Sequence, residues 1–378
     1  MSTRQPITVI GGGIAGLALA ACLPPDRFEV TLVEQRDALP ATGTSLAIWE
    51  EAQAALERLG VLDALRTASP VITRFPIRRG DGRILAATST EPSPVVSRLD
   101  LLQALEAAVP AGVRRVRARV DERTDLDALG GAPGALVIGA DGVHSAVRRA
   151  HWGAAGAAIA TPYLAVRGVI GRASAVEAMG EYWARGRLYG VGPHRLGTNW
   201  YAAFRSDLGP RNVDVAEALA AARRDADRDA GLAPAVADVL HTATADGTLA
   251  QRIHVTPRLR SYVRDRYVLV GDAAHAMTPN LGRGAGEALV DATTLAALLA
   301  DRPVEDALAA YDAARCRRTT ALAAASALLM RVALAERMQP LRDGALAVAG
   351  RGSRRRAGTA DPTQATRRAD QPAPADSR

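Results

Sequence analysis

The chain has 378 residues, 48% of them hydrophobic, and carries a formal net charge of +7. This length predicts a substantial core divided over two or three lobes, and the lack of any run of about 18 apolar residues argues against a membrane-spanning helix. All 47 basic residues are arginine, which excludes a Schiff-base lysine and a Gly-Lys phosphate-binding loop.

The positive charge is concentrated near the C-terminus, because residues 351–378 hold seven arginines and three aspartates. No zinc-finger spacing or aromatic RNA-binding motif accompanies this charge, so we expect no nucleic-acid partner. The N-terminus lacks an apolar signal core and leads directly into a strand, so we expect a cytoplasmic protein. Cys22 and Cys316 are far apart in the sequence, and a cytoplasmic location predicts no disulfide between them.

Residues 7–34 predict a strand, a glycine turn, a helix and a second strand, which together form a βαβ unit. Gly11, Gly13 and Gly16 form the pattern GxGxxG after the first strand. The first glycine permits a tight turn, the second lets a pyrophosphate approach the backbone, and the third lets the helix pack against the strand. Glu34 ends the second strand, at the spacing of a carboxylate that binds ribose hydroxyls. The unit predicts dinucleotide binding, and FAD and a nicotinamide cofactor fit it equally well.

Helices and strands alternate in the next part of the chain. Residues 50–66 have helical apolar spacing and predict one amphipathic helix. Strand-like segments surround a Gly-Asp-Gly turn within residues 71–90, and Arg98 precedes a short helix. Residues 113–135 are rich in arginine and turn formers, so we expect a loosely ordered connection there. Residues 136–142 read LVIGADG, which predicts an apolar strand that ends at glycine and aspartate.

Residues 160–256 predict a separate lobe built on a β-sheet, because short strand-like segments alternate with turns. These segments carry the aromatic side chains Tyr163, Tyr182, Trp183, Tyr189, Trp200, Tyr201 and Phe204. Residues 303–349 predict helices, and the composition after Gly350 predicts a disordered tail. The helix expected at residues 320–349 carries three arginines that suit contact with an anionic membrane surface, Arg331, Arg337 and Arg342. We expect this helix to pack on the cofactor lobe instead.

A second glycine-rich strand end occurs at residues 267–291, which read YVLVGDAAHAMTPNLGRGAGEALVD. This segment accompanies GGGIAG with Glu34, Arg98 in SRLDLLQAL, and GADGVHSAVR at residues 139–148. Over residues 6–345 the chain resembles the group A FAD-dependent monooxygenases, the para-hydroxybenzoate hydroxylase-like aromatic hydroxylases. The resemblance implies an α/β fold with a Rossmann-like FAD-binding domain, a β-sheet substrate domain and C-terminal helices.

The resemblance assigns roles to individual residues along FAD. Asp272 corresponds to an aspartate that holds the ribityl chain, and Arg98 to an arginine that contacts the cofactor. Asp141 lies in a segment associated with both FAD and NAD(P)H, and Pro279 begins the segment along the isoalloxazine ring. The predicted cofactor-binding residues are Gly11, Gly13, Gly16, Glu34, Arg98, Asp141, Gly142, Asp272, Pro279, Gly282, Gly284, Ala285 and Gly286. The catalytic candidates are Pro279 and Arg167, which resembles an arginine near the ring; a salt-bridged strand arginine is the alternative interpretation.

The implied activity is hydroxylation of a small aromatic or polycyclic substrate by O2, with NAD(P)H reducing the FAD. It proceeds through a flavin C4a-hydroperoxide, from which water and stray acids must be kept away. Backbone amides around Arg283 to Gly286 are expected to stabilise negative charge on the ring. The implied organisation is an FAD-binding domain at residues 1–70, 96–158 and 257–302, a substrate domain at 71–95 and 159–256, a helical segment at 303–349, and a disordered basic tail at 350–378.

Other functions on the same scaffold remain open. A reductase fits the motifs, and so does a halogenase, although the sequence has no Trp-x-Trp-x-Ile-Pro segment and no lysine to handle hypohalous acid. A flavin-carrying protein that never turns over is an alternative from a different class.

Several side chains also keep two interpretations. Tyr189, Trp200 and Tyr201 suit a pocket for a flat substrate and ordinary core packing equally well, whereas we expect His275 to be structural. Glu287 stands where many members of the family have asparagine or glutamine, so it is expected to alter the charge near the flavin. Leu188 stands where arginine is common in the family, so no relative's substrate is carried over.

Overall fold

The computed structural model describes residues 4–39, 44–130, 135–209 and 213–357. Strands and helices are numbered here in chain order. The described strands are β1 (Gln5–Ile10), β2 (Phe28–Glu34), β3 (Ser45–Ala47), β4 (Val71–Arg79), β5 (Ile84–Ser97), β6 (Arg114–Arg117), β7 (Leu136–Gly139), β8 (Ile159–Ile170), β9 (Gly180–Trp183), β10 (Arg187–His194), β11 (Gly197–Arg205), β12 (Thr248–Val255), β13 (Val263–Arg264) and β14 (Tyr267–Leu269). The described α-helices are α1 (Ile14–Cys22), α2 (Glu50–Arg58), α3 (Leu62–Thr67), α4 (Arg98–Ala108), α5 (Leu126–Gly130), α6 (Ala146–Trp152), α7 (Val215–Arg228), α8 (Pro234–Thr242), α9 (Asp272–His275), α10 (Gly284–Asp301), α11 (Val304–Ala333) and α12 (Gln339–Ala357).

The smaller sheet contains six strands in the order β13-β14-β7-β1-β2-β6. Its strands run parallel, except that β13 is antiparallel to β14. The central strands are apolar and buried, as expected when helices cover both faces of a parallel sheet. This arrangement confirms the predicted βαβ unit. Gly139 pairs with Ile10 on one side and Leu269 on the other, so three glycine-containing segments begin at one edge of the sheet.

The larger sheet contains eight strands in the order β12-β8-β11-β10-β9-β4-β5-β3. Neighbouring strands are antiparallel, apart from β4 and β9. One face packs against α7 and α8 through side chains such as Leu164 and Phe204. The opposite face packs against α11 and includes Trp183 and Leu188. The predicted aromatic residues lie on β8 to β11, which confirms a sheet in the middle of the chain.

The two sheets follow most of the domain ranges expected from the sequence. All six strands of the smaller sheet fall within the ranges assigned to the FAD-binding domain. β3 differs, because it lies within the first of those ranges but pairs with β5 and therefore extends the larger sheet. The domain boundaries themselves stay a prediction.

Two predictions about local structure are wrong. Residues 50–66 form the two helices α2 and α3, because Gly60 has a φ of +70° and this left-handed conformation ends α2. Residues 113–135 contain β6 and α5 where we expected a loose connection. β6 pairs with β2, and these backbone hydrogen bonds outweigh the weak strand propensity of an arginine-rich segment.

The C-terminal helices pack on both halves of the molecule. α11 packs against α10 of the cofactor lobe, whereas α12 packs against β5 of the larger sheet. The single helix expected at residues 320–349 is therefore divided between α11 and α12, and the expected contact with the cofactor lobe does not hold for α12. α12 continues to Ala357, so residues 350–357 are helical where we expected a disordered tail, and the four arginines among them favour helix. Residues 358–378 lie outside the described residues. Within the described ranges, no helix combines the length and hydropathy needed to cross a membrane.

Candidate functional site

The three motif glycines have the different steric environments that the sequence predicts. Gly11 has a φ of +108°, and a Cβ there would lie 2.5 Å from the carbonyl oxygen of Ala140. A Cβ on Gly16 would lie 1.8 Å from the carbonyl oxygen of Gly11, so only glycine allows α1 to approach β1 so closely. A Cβ on Gly13 would meet no atom within 4 Å. The backbone at Gly13 therefore faces open space, where a phosphate can approach.

Glu34 lies beside this turn and is held by hydrogen bonds. Its Oε2 accepts from the backbone N–H of Gly12 at 2.7 Å, and its Oε1 forms an ion pair with Arg36 at 3.1 Å. Burial opposes ionisation, but the hydrogen bonds from Arg36 and Gly12 hold the pKa of Glu34 below its ordinary value. Glu34 is therefore a carboxylate at neutral pH, as a ribose-binding acid requires.

Asp141 and Gly142 follow the end of β7. Oδ2 of Asp141 accepts hydrogen bonds from the backbone N–H groups of Ala146 and Val147 at 2.7 and 3.2 Å, so Asp141 supplements the N-cap residue of α6, Ser145. Its Oδ1 is buried and has no hydrogen-bond partner among the described residues. Burial raises the pKa of this carboxyl group. Gly142 has a φ of +79° with open space where a Cβ would lie, so the backbone next to Asp141 is accessible.

Arg98 and Asp272 connect the glycine turn to the second glycine-rich segment. Both residues are exposed, and among the described residues no hydrogen bond or ion pair holds the Arg98 side chain. Desolvation by nearby protein lowers the pKa of Arg98, while the charge of Asp272 raises it and that of Arg36 lowers it further. The charge of Arg98 thus interacts with Arg36 beside the glycine turn and with Asp272 in the second glycine-rich segment. An extended ligand can pass between them.

The segment from Pro279 to Gly286 forms a turn and the start of α10. Pro279 begins a short 3-10 turn, and Gly282 ends it with a φ of +60°. The carbonyl oxygen of Gly282 accepts a hydrogen bond from Nε1 of Trp49 at 3.1 Å, a contact that sequence reasoning missed. α10 then begins at Gly284, with Ala285 next, and has no side-chain cap at its N-terminus. Its first backbone N–H groups are therefore available to a ligand with negative charge.

Gly284 and Gly286 keep this helix terminus close to its neighbours. A Cβ on Gly284 would lie 4.0 Å from Oδ1 of Asp272, so the two predicted cofactor residues line the same space. A Cβ on Gly286 would lie 3.2 Å from the Cβ of Ala52, so α10 packs closely on α2. The second glycine-rich segment thus combines one open and one tightly packed position.

A buried network of charges supports the start of α10. The guanidinium of Arg315 on α11 contacts Glu287 at 2.6 Å and Asp291 at 2.6 Å. Asp291 also contacts Nε2 of His275 at 2.6 Å and accepts from the backbone N–H of Gly271 at 2.8 Å. Despite burial, the charge of Asp291 raises the pKa of His275. The structure places His275 in the interior, as expected, and pairs the unusual Glu287 with a cation.

Arg167 lies on the face of the larger sheet that packs against α11. Its guanidinium contacts Oε1 of Gln251 at 3.1 Å, and its buried Nε has no hydrogen-bond partner among the described residues. Burial lowers the pKa of Arg167, and the nearby charge of Arg98 lowers it further. No ion pair joins Arg167 to an acid among the described residues, so the salt-bridged interpretation has no support there. Because the charge of Arg98 acts on Arg167, the two arginines belong to the same electrostatic environment.

The three pocket candidates on β10 and β11 separate between the two faces of the sheet. Tyr189 and Trp200 are each 2% exposed and pack in the core beneath α7 and α8. Tyr201 points to the opposite face, beside Arg167, because consecutive residues of a strand alternate in direction. Core packing therefore describes Tyr189 and Trp200, and only Tyr201 stays a pocket candidate.

The residues that surround this space fit FAD. Gly13 and Gly142 leave room beside the backbone, and Oδ1 of Asp141 has no hydrogen-bond partner within the described part of the chain. Two helix termini without side-chain caps, at α1 and α10, offer N–H groups to the diphosphate and to the ring. A separate cavity of about 760 Å³ lies near Leu259 and Cys316 and is lined by none of the predicted cofactor residues.

Comparison with known proteins identifies the family. The FAD binding domain family matches residues 108–326, and an NAD(P)-binding Rossmann-like domain matches residues 9–51. The chain is 31% identical over 346 residues to a 3-amino-4-hydroxybenzoate 2-monooxygenase from Streptomyces platensis, covering 84% of this chain and 86% of that protein. The chain belongs to the FAD-dependent aromatic monooxygenase family.

Further members of this monooxygenase family are similar over nearly the same length. An aurachin C monooxygenase/isomerase from Stigmatella aurantiaca is 29% identical, with 86% of this chain and 89% of that protein covered. The structure of a salicylate hydroxylase substrate complex matches with a TM-score of 0.74 and 25% identity, covering 99% of this chain and 100% of that one. The predicted fold, the enzyme class and the use of FAD and NAD(P)H are thereby confirmed.

Proposed function

We propose that this monooxygenase hydroxylates a small, flat aromatic or polycyclic substrate with O2. The substrate would lie between the N-terminus of α10 and the face of the larger sheet that carries Arg167. The observation that carries this proposal is the uncapped N-terminus of α10, where the position of a Cβ on Gly284 lies 4.0 Å from Oδ1 of Asp272. Related enzymes named for 3-amino-4-hydroxybenzoate and urate support an aromatic substrate.

The residues predicted from the sequence have complementary roles in this proposal. The turn at Gly11, Gly13 and Gly16 receives the diphosphate of FAD, and Glu34 accepts hydrogen bonds from the ribose. Asp272 would bind hydroxyl groups of the ribityl chain, and Arg98 would hold the cofactor from the opposite side. When bound, FAD accepts a hydride from NAD(P)H and activates O2 for transfer to the substrate.

The protein's part in the reaction is to place charges and to exclude water. The uncapped N–H groups of Gly284, Ala285 and Gly286 would stabilise negative charge on the ring without supplying a proton. Pro279 has no N–H group, so the backbone beside the ring offers one donor fewer. Arg167 would hold the substrate or the ring edge with the Nε that has no partner among the described residues.

The experiment is a substrate screen on the purified yellow holoenzyme. Oxidation of NADH and of NADPH is followed with a panel of hydroxylated and amino-substituted aromatic compounds, while hydrogen peroxide and product mass are measured in parallel. We expect at least one compound to accelerate NAD(P)H oxidation and to gain one oxygen atom with little peroxide. Consumption without any oxygenated product would point to a reductase, and a flavin that neither nicotinamide reduces would contradict an enzyme.

A further inference from the structure

The start of α2 holds the segment that borders the proposed site of the flavin ring. The indole Nε1 of Trp49 donates a hydrogen bond to the carbonyl oxygen of Gly282 at 3.1 Å. One turn further along α2, the Cβ of Ala52 lies 3.2 Å from the position of a Cβ on Gly286. The beginning of α2 therefore contacts both the turn at Gly282 and the first turn of α10.

The opposite end of the same turn is anchored to α11. The hydroxyl group of Thr278 donates to the hydroxyl oxygen of Ser326 at 2.9 Å, and the Ser326 hydroxyl donates to the carbonyl oxygen of Thr278 at 2.6 Å. Both side chains are buried. Only residues 279–281 separate Thr278 from Gly282. A different helix thus holds each end of the short turn that begins at Pro279.

The backbone of Trp49 is itself fixed on two sides. Trp49 is the N-cap residue of α2, and its carbonyl oxygen accepts a hydrogen bond from the backbone N–H of Gln53 at 2.9 Å. The preceding residue, Ile48, is buried and donates its N–H to the carbonyl oxygen of Pro94 on β5 at 3.0 Å. The indole therefore reaches Gly282 from a position that α2 and β5 set together.

The two anchors of the turn differ in burial. The pair of hydroxyl groups on the α11 side lies in the interior, whereas Trp49 is only half-buried. Among the described residues, no other group donates to the carbonyl oxygen of Gly282. The position of a Cβ on Gly282 lies 3.6 Å from Nε1 of Trp49, which is ordinary van der Waals contact. The indole thus covers this end of the turn and supplies its one hydrogen bond to α2.

We propose that Trp49 is a positioning residue for the ring end of FAD, and that its indole N–H keeps the turn from Pro279 to Gly282 in the shape that borders the ring. This inference rests on the proposed function, because that proposal places the ring beside the N-terminus of α10. The glycine turn proposed for the diphosphate lies between β1 and α1, and no hydrogen bond joins it to Trp49 among the described residues. Loss of the indole N–H should therefore weaken the ring end of the site and leave the diphosphate end unchanged.

The test compares FAD with ADP, which contains the adenosine and the diphosphate and lacks the flavin ring. Titration calorimetry of the apoprotein gives both dissociation constants. Trp49→Phe keeps an aromatic side chain and removes the N–H group, so it should weaken FAD binding roughly three- to tenfold, as expected for one neutral hydrogen bond. The dissociation constant of ADP should change by less than about twofold. The visible circular dichroism of the bound flavin should shift as well, because the turn beside the ring is held less firmly.

Trp152→Phe is the matched control. Trp152 is half-buried like Trp49, and its Nε1 donates to the carbonyl oxygen of Ser261 at 3.0 Å, away from the glycine-rich segments. This variant should keep the wild-type dissociation constants of both ligands, and an unchanged melting temperature establishes that each apoprotein is folded.

Three results would overturn the inference. They are wild-type FAD affinity in Trp49→Phe, an equal loss of affinity for FAD and ADP in that variant, and the same selective loss of FAD affinity in Trp152→Phe. The expected difference between FAD and ADP, combined with no turnover of any aromatic compound by the wild-type holoenzyme, would instead contradict the proposed function.

Discussion

At the scale of single residues, two glycines of the same motif meet opposite constraints. A Cβ on Gly16 would collide with the carbonyl oxygen of Gly11 at 1.8 Å, whereas a Cβ on Gly13 would meet nothing within 4 Å. Gly13 also has a φ of −88°, which any residue adopts. Packing within the protein therefore requires glycine at position 16, whereas no described residue would clash with a side chain at position 13, where we propose that the diphosphate of FAD approaches.

Gly13→Ala and Gly16→Ala should consequently fail in different ways. Gly13→Ala should weaken FAD binding at least tenfold, or about 1.4 kcal/mol, while the apoprotein loses at most about 1 kcal/mol for a poorer helix cap. Gly16→Ala should destabilise the apoprotein by about 1–3 kcal/mol or more, because the packed interface must separate. Fluorescence titration with FAD and urea unfolding of the apoproteins measure both effects. Wild-type affinity in Gly13→Ala would contradict the placement of the diphosphate.

The glycine turn was predictable because each glycine's role follows from local backbone geometry. The sequence could not predict which face of the sheet each of Tyr189, Trp200 and Tyr201 occupies, because a shift of one residue in register exchanges the two faces of a strand. The sequence gives only a weak indication that Glu181 lies beside Tyr201, because it shows just a carboxylate between a glycine and two aromatic residues in a strand-like segment. The hydrogen bond between Tyr201 and Glu181 at 2.8 Å depends on the pairing of β11 and β9 with the intervening strand β10. The sequence alone does not establish this pairing.

At the scale of elements, α10 depends on α11 for neutralisation of its buried acids. Glu287 and Asp291 are 2% and 0% exposed, and Arg315 of α11 contacts both. The resemblance implies backbone amides around Arg283 to Gly286 that face the ring, which is where α10 begins. It does not predict Arg315 as the partner, because a buried ion pair between separate helices depends on their tertiary packing.

Arg315→Met should strongly destabilise the protein. The substitution keeps a long apolar side chain but leaves two buried carboxyl groups without their shared cation, which typically costs about 3–5 kcal/mol. Arg317→Met is the control on the same helix, because Arg317 is exposed and no ion pair joins it to an acid among the described residues, so its loss should cost less than about 0.5 kcal/mol. Urea unfolding compares them, and equal destabilisation by the two substitutions would contradict this account of the network.

At the scale of the whole molecule, the C-terminal helices hold the larger sheet to the FAD-binding side. α11 contacts α10 and also covers the sheet face at Trp183 and Leu188, and α12 follows along β5. The sequence predicts helices in this region from composition. It does not predict which sheet they cover, because their apolar residues are spread around the helix surface.

Arg342→Ala should loosen this attachment. The buried guanidinium donates to the carbonyl oxygens of Trp183 and Ala333, and loss of hydrogen bonds from a charged donor costs about 2 kcal/mol. Arg331→Ala removes an exposed arginine from the end of α11 and should change stability by less than about 0.5 kcal/mol. Urea unfolding and hydrogen exchange at β9 and α12 measure the difference. If the amide groups of β9 exchange as slowly in Arg342→Ala as in the wild type, contacts other than those of Arg342 hold the C-terminal helices on the larger sheet.

The order of the strands in the smaller sheet has a consequence for biosynthesis. β1 and β2 leave the ribosome first, but β14 and the start of α10 follow only after the entire larger sheet has been translated. A nascent polypeptide that stops before residue 267 has the first glycine turn and lacks the second glycine-rich segment. We therefore expect FAD to bind only after the start of α10 has been translated, and until β14 follows, the apolar edge of β7 lacks its neighbouring strand.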